Sequence, residues 1–186
     1  MAHASETAAV RYDGIAQALH WLVAALVVTM FGLGWYMSGL PLSQRKFDLY
    51  QLHKSLGLTI LTLMIVRLAW RLRHPPPPLP AGLPAWERSA ARTVHALFYV
   101  LLLVQPAIGF LQSNAANFPL VAWGVLPLPA LIGTDEALGE TLIEVHELVA
   151  RVLLVLIGLH VAAALRHHFL LKDDIMRRML PAGRRR

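Results

Sequence analysis

His146 and His160 stand fourteen positions apart in the stretch LIEVHELVARVLLVLIGLHVAAALRHHFLLKDD, residues 142 to 174, within a segment apolar enough to cross a bilayer. At about 100° per residue, both imidazoles fall within roughly 40° of one helix face and lie about 21 Å apart along the axis. Hydrocarbon about 30 Å thick would hold one such side chain near each of its surfaces. Imidazoles buried in lipid without partners are costly, so a functional role is their default reading. Neutral imidazole is above all a metal ligand and a proton carrier.

Side chains at those depths need helices to carry them. Four apolar stretches, about 16 to 37, 53 to 71, 92 to 112 and 144 to 168, each approach the roughly 20 residues of a spanning helix. Open strands would leave backbone groups unsatisfied in lipid. The expected fold is all-α: an integral membrane four-helix up-down bundle in one domain over residues 1 to 186. A Pro-rich connection (72 to 91) and a long loop (113 to 143) join the helices. The composition agrees: 56% of the 186 residues are hydrophobic and 15% charged, and the mean hydropathy is +0.53. Pro106 and Gly109 predict a kink in the third span. HPPPPLPAGLP in the second connection must be extended.

Charge fixes the expected orientation. Arg11, the second connection (Arg67, Arg71, Arg73, Arg88, Arg92) and the tail (Arg166, Lys172, Arg177, Arg178, Arg184 to Arg186) outnumber Arg45, Lys46 and Lys54 on the opposite face. The loop 113 to 143 contains no Lys or Arg. This excess places both termini in the cytoplasm. The formal charge of +6 belongs to this topology. No continuous basic face with stacking aromatics is present, which argues against nucleic acid. The chain contains no cysteine, which excludes disulfides, thiolate-bound clusters and covalent haem attachment.

In an up-down bundle the histidines sort into two layers. His20 and His160 share the cytoplasmic side, and His53 and His146 share the outer side. Two imidazoles on opposite sides of a flat macrocycle fill both axial positions of a haem iron, leaving no site for oxygen and favouring electron transfer. Gly57, Ala164 and Ala16 each lie one turn from a histidine and would leave room for a porphyrin edge. Arg67 and Arg71 are candidate partners for haem propionates, with anchoring at the cytoplasmic surface as the alternative. His95 lies at the depth of His20 and could replace it as partner of His160; spacing leaves both open. His3 and His74 fall in exposed segments. Arg151 puts a cation within the membrane, where Glu147 or a propionate could pair with it. A small metal or proton permease would use membrane histidines too, but broken helices or repeated halves around a midplane site are expected of transporters, and neither is visible.

The stretches ALHWLVAALVV, LHKSLGLTILTLMIVRLAWRLRHPPPP, VHALFYVLLLVQPAIGF and VHELVARVLLVLIGLHVAAALRHHF together resemble the bacterial cytochrome b561 family, which is similar to the b-type cytochrome subunits of nickel-iron hydrogenases. The resemblance covers all four spans. It implies two haems b, with His20, His53, His146 and His160 as iron ligands, and so favours His20 over His95. It implies a bacterial inner-membrane location and electron exchange with ubiquinone, and in one branch superoxide as donor at the outer face. The quinone is expected near Arg166, His167 and His168 at the inner face. His167, seven residues after His160, is the candidate proton donor to the reduced quinone, with anchoring of the tail as the alternative. A haem-bearing anchor for a dehydrogenase or hydrogenase, or a homodimer, remains compatible with the same residues.

Overall fold

Asp13 starts the first helix. The computed structural model describes residues 11–80 and 82–180; His3 and Arg184 to Arg186 lie outside the described residues. Helix α1 runs Gly14–Ser38, and one Asp13 oxygen accepts from the Ile15 and Ala16 amides at 3.0 and 2.9 Å. The Trp70 indole donates to both oxygens of the same carboxylate at 3.1 and 3.2 Å, tying this cap to the end of the second helix. Slight desolvation pushes the Asp13 pKa up, but donation from Ala16, Trp70 and Ile15 outweighs it, and the net shift is downward. A depressed folded pKa contributes stability above the ordinary carboxylate pKa and loses it as pH falls through the folded value. Asp13→Ala is expected to destabilise α1 by about 1 kcal/mol at neutral pH. Thermal melts of variant and wild type should then converge as the pH drops below the ordinary carboxylate range.

Helices α2 (Gln44–Arg73), α3 (Ala85–Ala115) and α4 (Glu136–Leu165) follow, and α4 continues through a π-helical turn, Arg166–Leu171. Ser43 caps α2 by accepting from Lys46 N, and Asp135 caps α4 by accepting from Leu138 N. All four helices are long and apolar enough to cross a membrane. At about 1.5 Å per residue, 30 residues span about 45 Å. Three of them begin well before the apolar runs read from the sequence, at residues 44, 85 and 136. The extensions are polar and two are capped, so their helicity is local and invisible to a hydropathy reading. α3 is continuous through Pro106.

The bundle is open on one side. α1 packs on α2, α2 on α3 and α3 on α4, whereas among the described residues no Cα of α4 comes within 8 Å of α1 or α2. The helices meet at mid-height through side chains. Val23 and Val27 of α1, Ile60 and Met64 of α2, Leu102 of α3 and Leu153 of α4 form the buried cluster. Leu153 is midway between His146 and His160, so this apolar layer separates the two histidine levels. Outward faces are apolar and exposed, Val28 and Val155 among them, as expected where lipid replaces water.

The loop between α3 and α4 contains a small hairpin, β1 (Val121–Ala122) against β2 (Leu126–Pro127), antiparallel. Trp123 and Gly124 turn it with φ of +54° and +73°. Two successive left-handed residues match the twist of paired strands. Nothing in the sequence reading anticipated strands here, because two-residue strands have no periodicity to detect.

Candidate functional site

The structure brings the four histidines together as two couples. His20 and His160 have ring centroids 6.4 Å apart and planes 64° apart. His53 and His146 stand at 6.3 Å and 65°. Two imidazoles on opposite sides of one metal, with bonds of about 2.05 Å and each ring centre about 1.1 Å beyond its nitrogen, would sit about 6.3 Å apart. Both couples have that separation. His95 stands closer to His160, at 5.6 Å. Each couple also bridges helices whose backbones keep apart, α1 with α4 and α2 with α4, which is where a flat macrocycle has room. The Nδ1 atoms of His53 and His146 are buried with no hydrogen-bond partner among the described residues. A buried polar atom of this kind is costly without a partner; the fit to haem rests on the ring separations and on the room between the helices that carry each couple.

Glycines shape the pocket around the second couple. A Cβ at Gly109 would lie 3.1 Å from Cε1 and 3.3 Å from Nδ1 of His146, and one at Gly34 would lie 3.7 Å from Cε1 of His53. At Gly57, one turn from His53, a Cβ would lie 3.8 Å from Cε of Met30. Gln105 donates to the backbone carbonyl of His146 at 2.9 Å and so pins α4 to α3 at the ligand. No spacing in the sequence singles out Gly34 or Gln105, and Gly109 predicts only a kink. Their value depends on which helix faces them, and spacing within one helix does not say.

The turn of α2 that bears His53 is clamped by the following loop. Gln51 donates to Pro119 O and accepts from Val121 N. Lys54 Nζ donates to Ser113 Oγ at 3.0 Å and Phe118 O at 2.8 Å, and lies 3.5 Å from the Phe118 ring centre. Ser55, 2% exposed, accepts from Trp123 N. The loop is thus a roof held by residues that flank a candidate ligand. A hydrogen bond to a charged group contributes about 1.5–3 kcal/mol. Lys54→Met is expected to speed amide exchange over 118–123 by about tenfold or more, since tenfold corresponds to about 1.4 kcal/mol.

At the opposite end, Arg67 Nη2 donates to His20 Nδ1 at 2.9 Å. The Arg67 and Arg71 guanidinium groups lie 5.6 and 5.4 Å from the Tyr99 ring centre. His167 is buried between two carboxylates, its Nδ1 2.5 Å from Asp173 and its Nε2 3.6 Å from Glu87, while Arg166 pairs with Glu87 at 3.1 Å. In this arrangement Nδ1 is hydrogen-bonded to Asp173, whereas Nε2 and Glu87 Oε2 stand beyond hydrogen-bond distance of each other. The tail closes over α1: Trp21 Nε1 donates to Met179 O, Gln17 to Arg178 O, and Arg178 Nη1 to Pro78 O. Arg151 meets Glu147 at 3.9 Å on the exposed side of α4.

A four-helix membrane bundle with paired imidazoles at two depths is the build of a membrane b-type cytochrome, an electron-transfer protein. Residues 11–182 match the model of the prokaryotic cytochrome b561 family, and the chain belongs to that family. It is 37% identical to cytochrome b561 homolog 2 of Escherichia coli (strain K12), over 91% of each chain. It is 31% identical to the probable superoxide oxidase CybB of Yersinia pestis, over 94% of this chain and 98% of that one. Cytochrome b562 of Cereibacter sphaeroides is 28% identical over 91% of this chain and 94% of its own. The protein is accordingly a bacterial multi-pass membrane protein that binds b-type haem.

Proposed function

We propose that this chain holds two haems b, one between His20 and His160 and one between His53 and His146, and passes single electrons between the two leaflets of the bacterial inner membrane. The observation that carries the reading is the matched separation of the two couples, 6.4 and 6.3 Å. Each haem supplies a one-electron ferric/ferrous couple. The protein's own part is to fix the imidazoles, to keep water from the cofactors with the layer around Leu153 and Met64, and to neutralise propionates. Arg67 bears on this last role. A guanidinium can only donate, so His20 Nδ1 accepts and the neutral ring keeps its proton on Nε2. Ligation through Nε2 needs the other tautomer. Arg67 must therefore release His20, and with Arg71 it becomes available to a propionate.

With basic residues in excess on the termini face, that face is cytoplasmic. Ubiquinone is the partner read there, taking up two electrons and two protons. A groove of about 840 Å3, walled by Ala18, Trp21 and Leu180 and edged by Arg11 and Tyr12, opens one turn from His20 and suits an amphipathic molecule. His167 is the candidate proton donor through Nε2, which makes no hydrogen bond among the described residues, while Nδ1 stays on Asp173. Superoxide is the candidate outer donor, losing one electron to become dioxygen; the name of the Yersinia relative supports it. The second reading, an anchor for an external dehydrogenase or hydrogenase, is favoured by the exposed hairpin tip, where Val125 is 82% and Trp123 55% exposed. Copurification of a large soluble subunit would select it.

The test is a pyridine haemochrome assay on purified protein, with a reduced-minus-oxidised spectrum and a potentiometric titration. The expected result is two haems b per chain titrating as two components. A single haem would overturn the two-site reading.

A further inference from the structure

The Glu147–Arg151 pair is in an unusual place. Its side chains are 64% and 70% exposed, yet Arg151 is only two residues, about 3 Å along the axis, from the midpoint between His146 and His160. Charges within a span almost always face the bundle interior or a water-filled cavity, or pair with one another. Here they face away from the bundle. At about 100° per residue, Glu147, Arg151, Gly158 and Ala162 share an arc of about 60°, roughly opposite His146, Leu153 and His160. Gly158 and Ala162 are exposed, and a Cβ at Gly158 would meet nothing within 4 Å. Four residues apart, they let another helix come close.

We propose that this face of α4 is the interface of a homodimer within the membrane. The argument for a second copy, and against lipid, is charge complementarity. The face carries one acid and one base a turn apart. Two copies inserted with the same orientation are related by a two-fold axis along the membrane normal, so each Arg151 can reach the partner's Glu147 while the two small residues bring the backbones together. Both charges then leave hydrocarbon paired on more than one side. The proposal does not depend on what the histidine couples bind, because the face lies on the other side of α4.

The absence of cysteine makes the test clean. In nanodiscs, Ala162→Cys, on the face, is expected to form a disulfide-linked dimer on mild oxidation, whereas Val152→Cys, about 100° away, is not. Arg151→Glu and Glu147→Arg are each expected to lower the dimer fraction by about tenfold or more, and the double exchange to restore it. The haem spectrum should be unchanged throughout, which separates loss of the interface from loss of the fold. A wild type of monomeric mass at every protein-to-lipid ratio, with Ala162→Cys cross-linking no better than Val152→Cys, would show that the pair faces lipid and would overturn the proposal. Cross-linking that survives both single charge variants would overturn the role given to the charges.

Discussion

Exchange of His160 for alanine is expected to halve the haem content per chain and leave one spectral component behind. His160 is the side chain against which His20 stands at 6.4 Å, and an iron held by one imidazole loses the bis-histidine ligation that defines a pure electron carrier. His20→Ala should remove the same component. His53→Ala and His146→Ala should remove the other, since those rings form the couple at 6.3 Å. His95→Ala is the informative control. Its ring stands 5.6 Å from that of His160, closer than two imidazoles on opposite sides of one metal, and it is expected to keep both haems. The measurement is a haemochrome count with low-temperature spectra of each variant in the same membranes. Full occupancy in His20→Ala combined with a loss in His95→Ala would reassign the pair.

Enlarging Gly109 is expected to act on one cofactor from the neighbouring helix. A Cβ at this position would stand 3.1 Å from the His146 ring, inside the 3.5–4.0 Å of ordinary carbon contact. The ring cannot give way by a slide of α4, because Gln105 holds the carbonyl of His146. Overpacking of this kind costs about 1–3 kcal/mol, and about 1.4 kcal/mol is tenfold in affinity. Gly109→Ala should therefore weaken retention of the haem at His53 and His146 by about tenfold, read as the rate of haem transfer to an apo-globin acceptor. Gly109→Val should empty that site and leave the His20–His160 component intact. Equal loss of both components would mean that the substitution disrupts α3 as a whole.

The architecture was legible because lipid imposes it locally. A run such as Leu148 to Leu165 must be helical and must span, whatever it packs against. Once four spans alternate in direction, the depth of His20, His53, His146 and His160 follows from counting residues. The sequence therefore determined four helices and which histidines share a level. It did not determine which helices touch. That, among the described residues, α4 approaches α3 by backbone but not α1 or α2 is a tertiary fact. Packing of whole helices also sets Gly109 and Gln105 against His146 from the next helix, and His20 and His95 at 6.4 and 5.6 Å from His160. It likewise turned His167 toward Glu87 and Asp173 and placed Arg151 on the outer side of α4. Hydrophobic periodicity and membrane depth are properties of one helix in one solvent. Contacts between side chains on different helices depend on rotation and spacing of the helices, and these are fixed only when all four pack.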